Sequence, residues 1–200
     1  MSTHSLNAPP KRDYRLGKRA KKQEETRQRI VEAAVDLHCS IGPARTSVSQ
    51  IAERAGVQRH TYYAHFPDEW DLLTACSGLA LSRDPLPSVE DWLDFPPGQE
   101  RIVHGLAELY AWFGRNEGQA ACVLRDAEHH EPTRKIVALR MQPTFQRAAA
   151  LLAEGLPGQG ASLVAVALDF HCWRILASDH SPSGAAALMA GAICSTTPVA

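Results

Sequence analysis

Thr46–Leu73 reads TSVSQIAERAGVQRHTYYAHFPDEWDLL and holds two short helical patterns joined at one glycine. Ser47 is a good N-cap, and Gln50 stands three residues on, the spacing of a reciprocal capping box. Val48, Ile51, Ala52 and Ala55 then share one face. Gly56 ends this helix, because a residue without a Cβ enters the left-handed conformation without steric penalty. Val57 leads at once into a further helix, Gln58–His65, closed by Phe66-Pro67. Tyr62 and Phe66, four apart, are expected in the core, and the small Ala52 lets the two helices cross closely. Two short helices about a glycine turn, after a longer supporting helix, form a helix-turn-helix pattern.

Upstream, Gln23 to Ile41 is the supporting helix: Ile30, Ala33, Ala34, Leu37 and Ile41 make one stripe, and Gly42-Pro43 stops it. Residues 1–22 carry Pro9-Pro10, seven Lys or Arg residues and few large apolar ones. Such a composition predicts a disordered basic arm that can hold phosphates or reach into a minor groove. Downstream, Asp68 to Leu81 reads as a fourth helix capped by Asp68, with Trp70 and Leu73 turned inward, and Leu72 and Cys76 as further inward candidates. Four prolines in residues 83–98 mark a linker with one helical turn at Ser88–Leu93. Beyond it, Ile102, Leu106, Leu109 and Phe113 step by helical spacings, and Asn116 with Gln119 predicts a cap for a short helix through Leu124. Pro132 opens a helix through Leu152 that is expected to kink at Pro143. Leu163 to Leu176 is apolar on nearly every face, and Ala185 to Cys194 is built of small residues with Leu188, Met189 and Ile193. No segment alternates as a strand does, so the expected fold is all-α: an arm over 1–22, a helix-turn-helix domain over 23–82 and a helical domain over 83–200.

The chain has 200 residues, 44% hydrophobic and 22% charged, an ordinary globular composition that argues against collagen-like or mostly disordered chains. Its longest apolar run, Leu163 to Leu168, is far short of the ~18 residues of a membrane span. The first residues lack a charged flank leading into an apolar core, so they do not read as a secretory signal. Cys39, Cys76, Cys122, Cys172 and Cys194 are odd in number and form no CxxC pair, which fits reduced thiols in a cytoplasmic protein. The net charge of −1 conceals an asymmetry: residues 1–66 hold 12 Lys and Arg against 6 Asp and Glu, and residues 67–200 hold 9 against 16. A basic front points to a polyanionic partner, although charge alone leaves a merely solvated tail open.

The segment I-A-x-x-A-G-V, followed by T-x-Y-x-H-F and an acidic L-L helix start, resembles the TetR/AcrR family of bacterial transcriptional regulators over Gln23–Leu73. Past residue 80 the likeness is architectural. The resemblance implies a homodimer joined through its last two helices, a C-terminal domain that binds a small-molecule effector, double-stranded operator DNA as partner, and no cofactor, metal or enzymatic activity. In that frame the third helix enters the major groove. Arg59 is placed to read a guanine edge and Gln58 an adenine, while His60 and Thr61 match positions near base edges. Tyr63 and His65 match phosphate-holding positions, and Ser47 and Ser49 at the start of the second helix point amides and hydroxyls at a phosphate. Three residues depart from the family pattern: His60 replaces a small residue, Tyr62 replaces a Leu-like one, and Glu69 stands where a Lys is common. They bear on which operator is read.

Rival chemistries are thinner. Glu128-His129-His130-Glu131 lacks the i, i+4 spacing of helical metal ligands, so a solvated turn before Pro132 is the expectation. A metal-dependent enzyme on His129 and Glu131 is nonetheless one alternative, and a sequence-indifferent, nucleoid-type DNA binder using the arm is another. His171-Cys172 has no orienting third group for a nucleophilic dyad. Trp112, Phe113, Phe145, Phe170 and Trp173 are expected mainly in the core, with an effector pocket as their other use.

Overall fold

The computed structural model describes residues 11–196, with side chains from residue 17 onward; every regular element among them is helical. In chain order these are α1 (Lys11–Ser40), α2 (Val48–Ala55), α3 (Arg59–His65), α4 (Glu69–Arg83), α5 (Gln99–Arg115), α6 (Glu117–Ala127), α7 (Glu131–Leu152), α8 (Gly158–Ala167), α9 (Phe170–Leu176) and α10 (Pro182–Cys194). Short 3-10 turns occupy Pro43–Arg45 and Val89–Asp94.

The helix expected from Gln23 begins at Lys11 instead, so residues 11–22 are helical rather than disordered; residues 1–10 lie outside the described residues. Lys, Arg and Gln are good helix formers, and extending a nucleated helix is far cheaper than starting one. Burial begins at Ile30, and residues 17–22 of the basic extension are exposed.

Two apolar cores follow. Ile30, Ala34, Ile51, Ala52, Tyr62 and Phe66 anchor the first, joined by Leu72, Leu73 and Cys76 from α4. Trp70, expected inward, is 41% exposed: one residue offset from this face of α4 turns it to solvent. The second core is centred on α5, whose Ile102, Leu106, Leu109 and Phe113 pack against Ala185, Ala186, Ala190 and Ile193 of α10. Small residues on α10 let the two helices approach closely. The proline-rich linker is more than a tether. Its 3-10 turn buries Trp92 against Gly105 of α5, where a Cβ would meet the indole at 2.8 Å, and the indole N–H donates to Glu108 Oε2 at 2.7 Å.

Asn116 is the N-cap residue of α6, but its side chain does not make the cap. Its amide instead donates to Asp84 Oδ2 at 2.8 Å, tying the end of α4 to α5. Leu163–Leu176 is likewise not one helix. It breaks at Leu168-Asp169, where the Asp169 carboxylate accepts the amides of His171 and Cys172 and starts α9. Such a cap offers the backbone an alternative to helix continuation. Pro143 lies inside α7.

The domains are joined at the turn between α1 and α2. Asp126 on α6 is fully buried and accepts the Ala44 amide at 2.9 Å. Arg125 donates to Asp126 Oδ1 and, through Nη2, to the Ile41 carbonyl at 2.9 Å. Gly42 makes this possible. Its φ of 99° and ψ of 152° lie in a region reserved for glycine, and a Cβ there would sit 2.2 Å from Asp126 Oδ2. On the opposite side Arg140 of α7 reaches α4, donating to the Thr74 carbonyl at 2.9 Å and to Ser77 Oγ at 3.2 Å. No helix among the described residues is long and apolar enough to cross a membrane.

Candidate nucleic-acid interface

The α2–turn–α3 unit is held from within. Ser47 Oγ accepts the Gln50 amide, and the Gln50 side chain accepts the Ser47 amide at 2.8 Å, completing the capping box. Gly56 ends α2 at φ 64° and ψ 41°, the left-handed conformation, and the Val57 amide returns to the Ala52 carbonyl at 2.9 Å. Gln58 then caps α3 with extended backbone, and its carbonyl accepts the Thr61 and Tyr62 amides. The Gln58 side chain makes no cap bond, so it is left for outside partners.

Tyr62 and Phe66 are buried at 3% and 1% exposure and fix the rotation of α3 about its axis. Burial pushes the Tyr62 hydroxyl up to about 12, keeping it neutral. Arg27 of α1 lies over the Phe66 ring at 5.0 Å, a cation–π contact that seats α3 on the supporting helix; no local sequence pattern signals it.

With that face inward, Gln58, Arg59, His60 and Tyr63 are exposed, Thr61 and His65 half-buried. Tyr63, 47% exposed, stands edge-on to Tyr62 at 5.3 Å, so its ring is braced. His60 Nε2 lies 3.3 Å from Thr61 Oγ1, linking two neighbouring side chains on the outer surface. At the start of α2, Ser49 is exposed, whereas the Ser47 hydroxyl donates to Gln50 Oε1 at 2.8 Å and its amide is spent on the same oxygen. Ser49 therefore has the freer hydroxyl of the two. Glu69, in place of a cation, sits 3.4 Å from Nε2 of His130, the N-cap residue of α7, and so faces the other domain. The sequence-nominated residues thus lie at the start of α2 and along α3.

The other nominated groups have local roles. His130 Nδ1 pairs with Thr133 Oγ1 at 2.7 Å, and no group of three or more His, Cys, Asp and Glu side chains among the described residues is arranged to hold a metal ion. His171 is exposed and its amide is capped by Asp169. Trp112, Phe170 and Trp173 are buried around the buried Phe113, with Phe145 half-buried beside them.

Residues 30–76 match the family model described as bacterial regulatory proteins, tetR family. Over this segment the chain is similar to the TetR family. The chain is 40% identical over 80 residues to the HTH-type transcriptional regulator SrpR of Pseudomonas putida, a match covering 40% of this chain and 34% of SrpR. It spans about half or less of the first two curated relatives it matches, 34% of SrpR and 54% of TtgW, also of Pseudomonas putida. Among solved structures, the multidrug binding protein EbrR, in complex with imidazole, superposes with a TM-score of 0.54 at 25% identity, covering 86% of this chain and 96% of EbrR. SCO7518 of Streptomyces coelicolor A3(2) gives a TM-score of 0.57 at 22% identity over 86% and 99% of the two chains, a likeness of fold.

Proposed function

We propose that this chain is a cytoplasmic, sequence-specific transcriptional repressor of the TetR type. It works as a homodimer, places one α3 from each subunit in successive major grooves of a palindromic operator, and is released by a small-molecule effector. The observation that carries this reading is the division of α3: Tyr62 and Phe66 are held in the core while Arg59, His60 and Tyr63 stand exposed. Arg59 reads base edges, Gln58, His60 and Thr61 add contacts along the same groove, and Tyr63, His65 and the start of α2 position the backbone. Exposed Val166, Ile175 and Leu188 on α8, α9 and α10 support dimerisation through the last helices. The likeness to EbrR, a multidrug binding protein, supports an effector site in the carboxyl-terminal half. An effector then acts by changing the spacing of two reading heads; a coupling of about 1–3 kcal/mol suffices for release.

The test is a titration of a duplex from the region beside its own gene, followed by fluorescence anisotropy. Arg59→Ala is expected to weaken binding by about 1–3 kcal/mol and to relax preference at its base. Tyr63→Phe is expected to weaken binding by a smaller amount, on the order of 1 kcal/mol, uniformly across sequences. Both side chains are exposed, so circular dichroism should match that of the unaltered protein. Folded variants that hold the duplex as tightly as the parent would overturn the assignment.

A further inference from the structure

The reading head holds a cavity of its own. It measures about 330 Å³, and every residue that lines it falls between His38 and Leu72. Ile51 of α2, Tyr62 of α3, Phe66 and Leu72 of α4 supply the buried part of the lining. Tyr63, Asp68 and Glu69 supply the exposed part, so the space opens to solvent between α3 and the start of α4.

Two features of the lining point to one kind of guest. The first is aromatic. Tyr62 stands edge-on to Tyr63, and its ring is tilted against Phe66 with centroids 6.2 Å apart. Rings set at angles around a hollow draw cations to their faces. Arg27 already lies over Phe66 at 5.0 Å but does not line the cavity, which leaves the two tyrosines for a guest. The second feature is charge. Asp68 and Glu69 bring two carboxylates, and the lining contains no Lys or Arg. Asp68 spends Oδ1 on the Asp71 amide at 2.8 Å, and Glu69 Oε1 lies 3.4 Å from His130 Nε2, so one oxygen of each carboxylate is left over. His38, kept neutral by burial, adds no positive charge, and the Thr46 hydroxyl is spent on the Gly42 carbonyl at 2.8 Å.

Tyr62 joins the two features. It is 3% exposed, yet its hydroxyl has no hydrogen-bond partner among the described residues. Burial foremost, then Tyr63, Glu69, Cys76 and Asp68, push this hydroxyl up to about 12, so both carboxylates lie near it. A buried hydroxyl left unpaired is costly. An ammonium group satisfies all three neighbours at once, because its three N–H bonds reach the phenol oxygen and both carboxylates.

We propose that this cavity binds a primary organic ammonium, its charged head between Asp68, Glu69 and the Tyr62 hydroxyl and its apolar arm along Val48, Ile51 and Leu72. The volume is at the lower end of the ~300–1,000 Å³ of small-molecule pockets and above the ~150 Å³ that holds a benzene ring, so one ring on a short arm fits. The site is distinct from any effector site in the carboxyl-terminal half. Resting on the regulator reading above, a cation bound beside Tyr63 offsets two carboxylates that stand near the duplex, and so strengthens DNA binding.

The experiment titrates the full chain by calorimetry, at fixed ionic strength, with 2-phenylethylammonium, 2-phenylethanol and 3-phenylpropionate, which share a ring and differ in charge. The cation should bind saturably and at least about tenfold more tightly than the alcohol, and the carboxylate should not bind. Asp68→Asn combined with Glu69→Gln keeps the side-chain shapes and an α4 cap at two exposed positions. This double variant should weaken the cation at least about tenfold and leave the alcohol unaltered. Tyr62→Phe, which keeps the buried ring, should weaken the cation about threefold. Alcohol binding as tight as the cation, an unaltered cation affinity in the double variant, or no saturation at millimolar concentration would each overturn the inference. The second of these is also the result if the ammonium occupies the carboxyl-terminal half. Duplex anisotropy on the same preparations separates the two readings. Saturating ammonium should raise duplex affinity at least about twofold in the parent and leave the double variant unresponsive. Duplex binding without ammonium binding overturns this inference alone, and ammonium binding without duplex binding overturns the regulator reading alone. Ammonium binding with duplex affinity unchanged or lowered overturns the strengthening and keeps the site.

Discussion

Burial of His38 between the two domains makes stability depend on pH. Its imidazole is 7% exposed and lies 3.4 Å from Cys76 Sγ, with Asp126 and His130 as its titratable neighbours. Burial lowers its pKa from 6.5 to about 4. Below pH 6.5 the unfolded chain takes up a proton that the folded chain refuses, so stability is present above 6.5 and is lost as the pH falls toward 4. Between pH 7 and 4.5 this residue should cost about 2 kcal/mol, and His38→Gln should flatten that part of the profile in urea titrations. Glu32 and Asp84, held below the usual carboxylate range by hydrogen bonds from Arg83 and Arg115, also lose stability on acidification, but at the surface. The variant therefore isolates the buried imidazole; an unchanged slope would contradict its role. At the same scale, the burial of Tyr62 and Phe66 could be read from spacing, whereas the exposure of Trp70 could not. A lone large side chain beside an apolar stripe carries no local mark of the face on which it ends.

Among the elements, the helix-turn-helix is the most legible because its signals are local: a capping box, a glycine at a left-handed turn and an i, i+4 aromatic pair all lie within one short stretch. The α1–α2 turn is the opposite case. Gly42 announces only a helix stop, yet its partners Arg125 and Asp126 come from more than 80 residues away. The forward extension of α1 is hidden by its composition, since charge density resembles disorder until a neighbouring amphipathic segment nucleates the helix. The break at Asp169 is hidden by the apolar run around it. The two glycine turns can be told apart by experiment. Gly56→Ala should cost about 1–2 kcal/mol, for the left-handed backbone alone, because nothing lies within 4 Å of a Cβ there. Gly42→Ala should cost more, on the order of 3 kcal/mol or above, because it adds a clash that breaks the buried Asp126 hydrogen bonds. Equal losses in chemical denaturation would mean that the interdomain latch contributes little.

For the whole molecule, charge and apolar surface are separated. The basic residues gather on α1 and the reading head, while α8, α9 and α10 present Val166, Ile175 and Leu188 to solvent at 49%, 75% and 50%. The proposed dimer, joined through this apolar side, would set both reading heads against one duplex. Ile175→Asp should raise the dimer dissociation constant at least tenfold, about 1.4 kcal/mol, by placing a charge in an apolar interface. Sedimentation equilibrium would detect the shift, and helix content should not change; an unaltered mass distribution would remove α9 from the interface. Symmetry of the dimer then dictates symmetry of the DNA site. Selection of bound duplexes from a random pool, followed by sequencing, tests this most directly. The expected outcome is a dyad-symmetric motif with half-site centres about one helical turn apart, its base preference relaxed in Arg59→Ala. Enrichment with no symmetry, or with no sequence preference at all, would contradict a paired, base-reading role for α3.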